Sequence, residues 1–139
     1  MPLRHDDIFV VTFPRSGTTW TLELVWLLAS DLDYSTAAKN PLSARATFLE
    51  QVLNVMEYLK KKSADKPEHL KMLQLTRTPG SEQVARMPSP RFIRTHLPLS
   101  FLPPNLLDST KVVYVARDPR DVLACGLVRN FFFAAVLSS

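Results

Sequence analysis

The stretch DIFVVTFPRSGTTW, residues 7–20, decides the fold of this chain. It begins with an apolar, β-branched run that ends at Pro14, and this pattern predicts a buried strand over residues 7–13. In residues 18–30 the apolar positions cover almost every face of a helix, which predicts a largely buried helix. A strand, a short loop and a helix in this order indicate the start of an α/β domain.

A second strand-loop-helix unit follows later in the chain. Short strands are predicted over 91–94 and 111–116, and a helix is predicted from Pro119 onward, with Asp118 as its N-cap. The two units favour a three-layer, P-loop-like α/β fold with a central parallel sheet. Ligands of such folds bind at the carboxyl ends of the strands.

The pattern between these two units is weaker. Helical spacing predicts a helix over 47–62 and a shorter one over 67–75, which we expect to cover the sheet or a substrate pocket. Four prolines between residues 79 and 98 predict a loop-rich return to the sheet.

The composition excludes several classes of protein. A chain of 139 residues with 46% hydrophobic residues can offset its ordering entropy by burial, which argues against disorder. Its single cysteine cannot form an internal disulfide, its N-terminus lacks the apolar core of a signal peptide, and no window approaches a membrane span. We therefore expect a cytoplasmic protein with no membrane contact. The net charge of +4 favours anionic partners, but the basic residues are scattered, so nucleic acid is not expected.

Residues 14–20 are typical of an anion-binding loop. Gly17 permits a tight turn, the amides at the helix start point outward, and Arg15 adds a forked cationic donor. The hydroxyl donors around the same spot are Ser16, Thr18 and Thr19. A Walker A motif does not fit, because it requires an earlier glycine and a lysine. A capping box that opens an ordinary helix is the alternative explanation, and the loop alone does not decide between them.

Of the three histidines, His96 is placed differently from the others. His5 lies in a polar terminus and His69 in a stretch rich in lysine and glutamate, so both are expected at the surface. His96 directly follows the predicted strand 91–94, at the sheet edge that carries the anion loop. A histidine there is either structural or a catalytic base. No cluster in the sequence has metal-ligand spacing, and no metal is expected.

These motifs resemble those of the cytosolic sulfotransferases, and we expect arthropod members to be the most similar. Residues 13–20 match the family pattern Tyr/Phe-Pro-Lys/Arg-Ser-Gly-Thr-Thr-Trp at every position. Residues 94–98 are similar to the family's Lys-Thr-His-Leu-Pro, and residues 114–122 are similar to the strand, loop and helix that hold the 3′-phosphate. The resemblance runs from about residue 7 to residue 122.

The resemblance implies sulfuryl transfer from 3′-phosphoadenosine 5′-phosphosulfate to a small-molecule acceptor without a metal. His96 takes the place of the catalytic base, which must be partly unprotonated near neutral pH, as imidazole is. Arg15 would neutralise the phosphosulfate. Arg94 replaces a lysine of the family, which keeps the positive charge but loses the compact shape and the ability to donate a proton. The predicted catalytic residues are therefore His96, Arg15 and Arg94.

The resemblance also assigns the residues that hold the cofactor. These predicted residues are Arg15, Ser16, Gly17, Thr18, Thr19, Trp20, Arg117 and Cys125. Trp20 would stack on adenine, although core packing would equally explain it. Arg117 would hold the 3′-phosphate, although a surface arginine at a strand end is the alternative. Cys125 stands where the family has a serine, and a thiol is a weak donor.

The resemblance fails after Cys125. Residues 7–125 are predicted to be the N-terminal part of a sulfotransferase domain, and residues 126–139 a divergent apolar tail, so activity is expected to be impaired. The acceptor would be a phenol, an alcohol, a steroid-like molecule or an amine. A homodimer is possible in the family, but its usual contact region lies beyond these residues. The alternatives are a catalytically inactive nucleotide-binding remnant and a P-loop kinase relative, which the missing Walker lysine disfavours.

Overall fold

The computed structural model describes residues 1–50 and 79–128, with the side chains of 126–128 left aside. In chain order the strands are β1 (Ile8–Thr12), β2 (Thr47–Phe48), β3 (Phe92–Thr95) and β4 (Lys111–Val115). The α-helices are α1 (Thr18–Ala29), α2 (Tyr34–Lys39), α3 (Leu42–Arg45), α4 (Gly80–Arg86), α5 (Leu106–Ser109) and α6 (Pro119–Val128). A 3₁₀ turn spans Leu99–Phe101.

The described strands form one parallel sheet in the order β2-β3-β1-β4. Strand β1 lies between β3 and β4, with Ile8 opposite both Phe92 and Lys111. All five residues of β1 are buried, as parallel strands covered on both faces require. The predicted buried strand and the predicted parallel sheet are confirmed. Because the strands are parallel, their carboxyl ends meet at one edge, where the loops carry the site.

The core has two halves, one on each face of the sheet, because successive side chains of a strand point to opposite faces. One half packs under α1 and contains Ile8, Val10, Leu22, Trp26, Ala46 and Phe92. The other half contains Phe9, Val11, Val84, Ile93, Leu102 and Leu106. Helices cover both faces of the sheet, which confirms the three-layer α/β arrangement.

A buried ion pair joins the amino ends of β1 and β3. Arg91 and Asp7 both have 0% exposed side chains, and the guanidinium binds the carboxylate through Nε at 2.6 Å and a terminal nitrogen at 2.5 Å. The remaining guanidinium donors bind the carbonyl oxygens of Val84 and Pro2. Each of the three guanidinium nitrogens thus donates at least one hydrogen bond inside the protein, and a buried charge needs such partners in order to be tolerated.

Helix α1 begins where it was predicted, but it is not largely buried. Only Leu22 and Trp26 are buried among its residues, and the Trp20 side chain is 80% exposed. The helix packs on the sheet through one face, and nothing in the described part of the chain covers the other. Helix α6 begins at Pro119 as predicted, and an Asp118 carboxylate oxygen accepts a hydrogen bond from the Arg120 amide at 2.8 Å. The predicted N-cap is confirmed.

The weaker middle segment was predicted less well. Thr47 and Phe48 form a strand paired with β3 rather than the start of a helix, because sheet pairing overrides a helical pattern of apolar residues. The rest of the predicted helices, residues 51–62 and 67–75, lies outside the described residues, as does most of the apolar tail. The loop-rich return contains one helix, α4, in which the buried Val84 packs into the core. Within residues 1–50 and 79–128, no helix is long and apolar enough to cross a membrane.

Candidate active site at the carboxyl ends of the strands

The loop between β1 and α1 exposes the first amides of the helix. Gly17 is the N-cap of α1 with φ of 107°, and it makes no side-chain capping bond. The first intrahelical bond joins the Thr21 amide to the Gly17 carbonyl at 3.0 Å, so the amides of residues 18–20 have no acceptor within the helix. A capping box is therefore not the role of this loop. Free amides and the positive end of the helix dipole favour an anion here.

A cleft of about 480 Å³ opens at this edge of the sheet. It is bounded by the loop after β1, by the residues at the end of β3 and by the loop after β4. The lining residues are Pro14, Arg15, Gly17, Thr18, Thr19, Trp20, Phe48, Arg94, His96, Arg117 and Cys125. Four separated parts of the sequence, one of them Phe48 in β2, are thus brought to one place, as the shared edge of a parallel sheet predicts.

The cleft is positively charged. Its lining includes three arginines and no carboxylate among the described residues. One terminal nitrogen of Arg117 donates to the Arg15 carbonyl at 3.3 Å, which joins the loops after β1 and β4. Burial lowers the pKa of Arg94, an effect that the charge of Glu50 partly offsets. The buried Nε of Arg94 has no hydrogen-bond partner in the described part of the chain, so one donor of this cation is left unsatisfied there.

The ring of His96 is held through Nδ1. That atom lies 2.8 Å from the Thr12 carbonyl oxygen, and because a carbonyl can only accept, the neutral ring must carry its proton on Nδ1. The Nε2 lone pair then remains for a proton from a bound molecule. The hydroxyl of Thr12 lies 3.1 Å from Nδ1 and 2.6 Å from the hydroxyl of Thr18. A short polar chain therefore links the histidine to the anion loop.

Two residues of this region were not among the predicted site residues. Phe48 lines the cleft and contacts the His96 ring edge-on, with ring centroids 5.1 Å apart. The Oε1 atom of Glu50 accepts hydrogen bonds from the end of β3. Both residues are more than 40 positions from His96, so no local spacing in the sequence could have indicated these contacts.

Nine of the ten predicted site residues line the cleft, and Ser16 does not. The Ser16 side chain is only 7% exposed, its amide donates to the Phe13 carbonyl at 3.1 Å, and it lines a neighbouring, mostly apolar pocket instead. The exposure of Trp20 excludes the core-packing alternative for that residue. No group of three or more potential metal ligands is present among the described residues.

Comparison with known proteins agrees with this geometry. The sulfotransferase domain family matches residues 5–133. The chain belongs to this family. It is 34% identical over 125 residues to luciferin sulfotransferase of Photinus pyralis, covering 86% of this chain and 32% of that protein. It is 38% identical over 118 residues to sulfotransferase 1A1 of Canis lupus familiaris, and this match covers 84% of this chain and 33% of that protein.

Solved structures show the same fold. Retinol dehydratase in complex with androsterone and the inactive cofactor PAP superposes with a TM-score of 0.79 at 42% identity, covering 91% of this chain and 40% of that chain. A complex of retinol dehydratase with retinol and PAP superposes with a TM-score of 0.78 at 44% sequence identity. The chain spans about a third of the length of the two sulfotransferases named above. The family assignment removes the support for a P-loop kinase relative.

Proposed function

We propose that this chain carries the donor site of a sulfotransferase, which binds 3′-phosphoadenosine 5′-phosphosulfate and transfers its sulfuryl group to a small molecule in the cytoplasm. The observation that carries the proposal is the cleft in which the anion loop, His96 and two further arginines converge. We also propose that residues 7–125 are the N-terminal part of the sulfotransferase domain. The family match over residues 5–133 supports this assignment.

The residues of the cleft fit a ligand with two anionic ends. The uncapped amides of residues 18–20 and Arg15 would receive the phosphosulfate, since amides and a guanidinium both donate to its oxygens. Arg117, which follows a different strand, would receive the 3′-phosphate, and Cys125 lines the same cleft. Trp20, exposed and next to the loop, offers a flat surface for adenine.

The histidine is arranged to act as the base. Nε2 of His96 would accept the proton of an acceptor hydroxyl or amine while the acceptor atom bonds to sulfur and the bond from sulfur to the phosphate oxygen breaks. The Thr12 carbonyl, which already accepts from Nδ1, would stabilise the imidazolium that forms. Arg15 and the helix amides would stabilise the charge that develops on the leaving phosphate. The co-substrate supplies the sulfuryl group itself.

The acceptor we propose is a phenol, an alcohol, a steroid-like molecule or an amine. The molecules bound to retinol dehydratase, androsterone and retinol, support a small organic acceptor. Phe48 beside His96 would place an apolar surface against such a molecule, next to the base.

A second candidate is a chain that binds the nucleotide but transfers no sulfuryl group. Position 94 favours it, because Arg94 cannot be deprotonated and so cannot give a proton to the leaving oxygen as a lysine could. This candidate and the first share the same binding site and differ only in turnover.

The single cysteine of the chain allows binding to be tested without turnover. Cys125 lines the cleft, so adenosine 3′,5′-bisphosphate should slow its reaction with a thiol reagent, and AMP should do so much less because it lacks the 3′-phosphate. Equal protection by both nucleotides, or none at millimolar concentration, would contradict the proposed site.

Turnover is then measured with radiolabelled 3′-phosphoadenosine 5′-phosphosulfate and a panel of phenols, alcohols, steroids and amines. Transfer that disappears in a His96→Ala variant supports the sulfotransferase. Nucleotide protection without transfer to any acceptor that a longer relative sulfates supports the binding-only chain.

A further inference from the structure

The Glu50 carboxylate binds the backbone of His96 and also its two neighbours in sequence. Oε1 of Glu50 accepts hydrogen bonds from the Thr95 hydroxyl at 2.6 Å, the His96 amide at 2.6 Å and the Leu97 amide at 2.8 Å. These three donors belong to consecutive residues at the end of β3. A single carboxylate oxygen thus binds three groups of the turn that leads from β3 into the cleft.

The position of Glu50 is itself fixed by the sheet. The chain pairs with β3 through Thr47 and Phe48, and the next amide, that of Leu49, donates to the Arg94 carbonyl at 2.9 Å. Glu50 follows directly and extends this ladder with its side chain instead of its backbone. The carboxylate therefore reaches the end of β3 from a segment that is paired with the sheet. A positioning residue needs a rigid support of this kind.

The second oxygen of this carboxylate distinguishes it from an ordinary surface acid. Oε2 of Glu50 is buried and has no hydrogen-bond partner in the described part of the chain. A buried, unsatisfied carboxylate oxygen is costly, so retaining it requires a compensating role. The positive charge of Arg94 lies close enough to interact with the Glu50 carboxylate. Glu50 therefore also interacts with an arginine that lines the cleft.

We propose that Glu50 is a positioning residue for His96, and this rests on the proposed role of His96 as the base. Glu50 fixes the histidine from its backbone amide, and the Thr12 carbonyl fixes it from Nδ1 of the ring. The Glu50 contact fixes the backbone from which the side chain extends, and the Thr12 contact restrains rotation about the two side-chain torsions, so the two contacts act on different parts of His96. Together they keep the proton on Nδ1 and leave the Nε2 lone pair for the acceptor.

The test is the tautomer of His96, read from the ¹⁵N resonances of histidine-labelled protein near pH 8, where ordinary imidazoles are neutral. The resonances of His96 are assigned from those that disappear in His96→Asn. In the wild-type chain we expect the Nδ1–H form. In Glu50→Ala we expect that form to give way to the averaged signal of a free imidazole, for which the exposed His5 serves as the internal reference.

Two further variants separate positioning from simple stabilisation. Glu50→Gln keeps a carbonyl oxygen that can accept from the turn, so it should restore the Nδ1–H form. Glu23→Ala removes a carboxylate that binds Arg45 on another face, so it should lower stability and leave the tautomer unchanged. A Glu50→Ala chain that is folded by circular dichroism and still shows the Nδ1–H form would overturn the proposal.

If Glu50→Ala does not fold, the same tautomer measurement on Glu50→Asp tests the proposal instead. Its carboxylate keeps the charge but is one methylene too short, so the tautomer should again be lost, and its retention overturns the proposal. Where the wild-type chain transfers sulfate, Glu50→Ala should lower kcat on the order of 100-fold with little change in KM for the nucleotide. Lack of nucleotide protection at Cys125 with the tautomer result intact would refute the proposed function and leave the positioning contact standing.

Discussion

The two ends of β3 carry arginines in opposite circumstances. Arg91 precedes the strand, is completely buried, and donates hydrogen bonds to Asp7 and two carbonyl groups. Arg94 lies three residues further along, near the carboxyl end, and forms no ion pair among the described residues. The same residue type thus holds the fold together at one end of the sheet and lines a cationic cleft at the other.

The difference shows how a charge becomes functional. A fully buried cation that is paired with a carboxylate inside the protein is out of reach of a ligand, and breaking the pair harms the fold. A cation that lines the cleft can offer donors to a bound anion, so its removal should harm binding. The following predictions test this division between the two ends.

The largest effect is expected from Asp7→Ala, which leaves the Arg91 charge buried without its partner. Breaking such a pair from one side costs about 3–5 kcal/mol, and urea denaturation should show it as a lower midpoint. Replacing both partners, as Asp7→Leu with Arg91→Met, should recover much of the loss. The matched control is Glu82→Ala, whose exposed pair with Arg86 spans 3.7 Å and should contribute less than about 1 kcal/mol. A loss as small as that control would refute a structural role for the buried pair.

At the other end, Arg117→Ala should weaken the binding of adenosine 3′,5′-bisphosphate and leave the unfolding midpoint nearly unchanged. A hydrogen bond to a charged group contributes about 1.5–3 kcal/mol, which corresponds to a loss of about 10- to 100-fold in affinity by calorimetry. Arg120→Ala is the control, because Arg120 binds Asp118 and does not line the cleft. If both variants bind equally well, Arg117 does not hold the phosphate.

A smaller effect is expected from Gly17→Ala in the anion loop. A Cβ atom there would meet nothing within 4 Å, so any cost comes from holding an L residue at φ of 107°. That cost is about 1–2 kcal/mol, and it should appear as lower stability or as a loop that relaxes and binds the nucleotide less tightly. Leu24→Ala changes an exposed position of α1 that does not line the cleft and serves as the comparison. Unchanged stability and affinity in Gly17→Ala would contradict a strained turn.

The smallest effect concerns the cap of α6. Hydrogen bonds from the Arg120 side chain and then from its amide lower the pKa of Asp118 below its ordinary value of 3.8. A lowered folded-state pKa contributes stability above the unfolded-state value, and that stability is lost as the pH falls through the folded-state pKa. Asp118→Asn keeps the cap but not the charge, so wild type should be slightly more stable at neutral pH, with the difference fading below about pH 4. The stability difference between wild type and Asp118→Asn is measured by thermal unfolding at pH 7 and at pH 3. An equal difference at the two pH values would contradict the ionic contribution.

Where structure depends on neighbouring residues, the sequence was sufficient. The β1 strand, the turn at Gly17, the start of α1 and the Asp118 cap all follow from hydrophobic pattern and turn chemistry over a few positions. His96 could be placed at the same edge as the loop because parallel strands share their carboxyl ends. The local pattern therefore predicted the α/β class and the anion loop, and the resemblance to the sulfotransferases supplied the other predicted residues that line the cleft.

Only the tertiary structure decided which sides of these elements are covered and which distant groups support the site. The apolar pattern of α1 could not reveal that the described residues leave one of its faces uncovered. Ser16 has the same hydroxyl chemistry as its neighbours yet lies outside the cleft lining. Glu50 reaches the turn at His96 across 46 positions. Local propensities act over a few residues, whereas burial and long-range hydrogen bonds depend on chain packing, so the sequence alone determined the site's chemistry and packing determined its geometry.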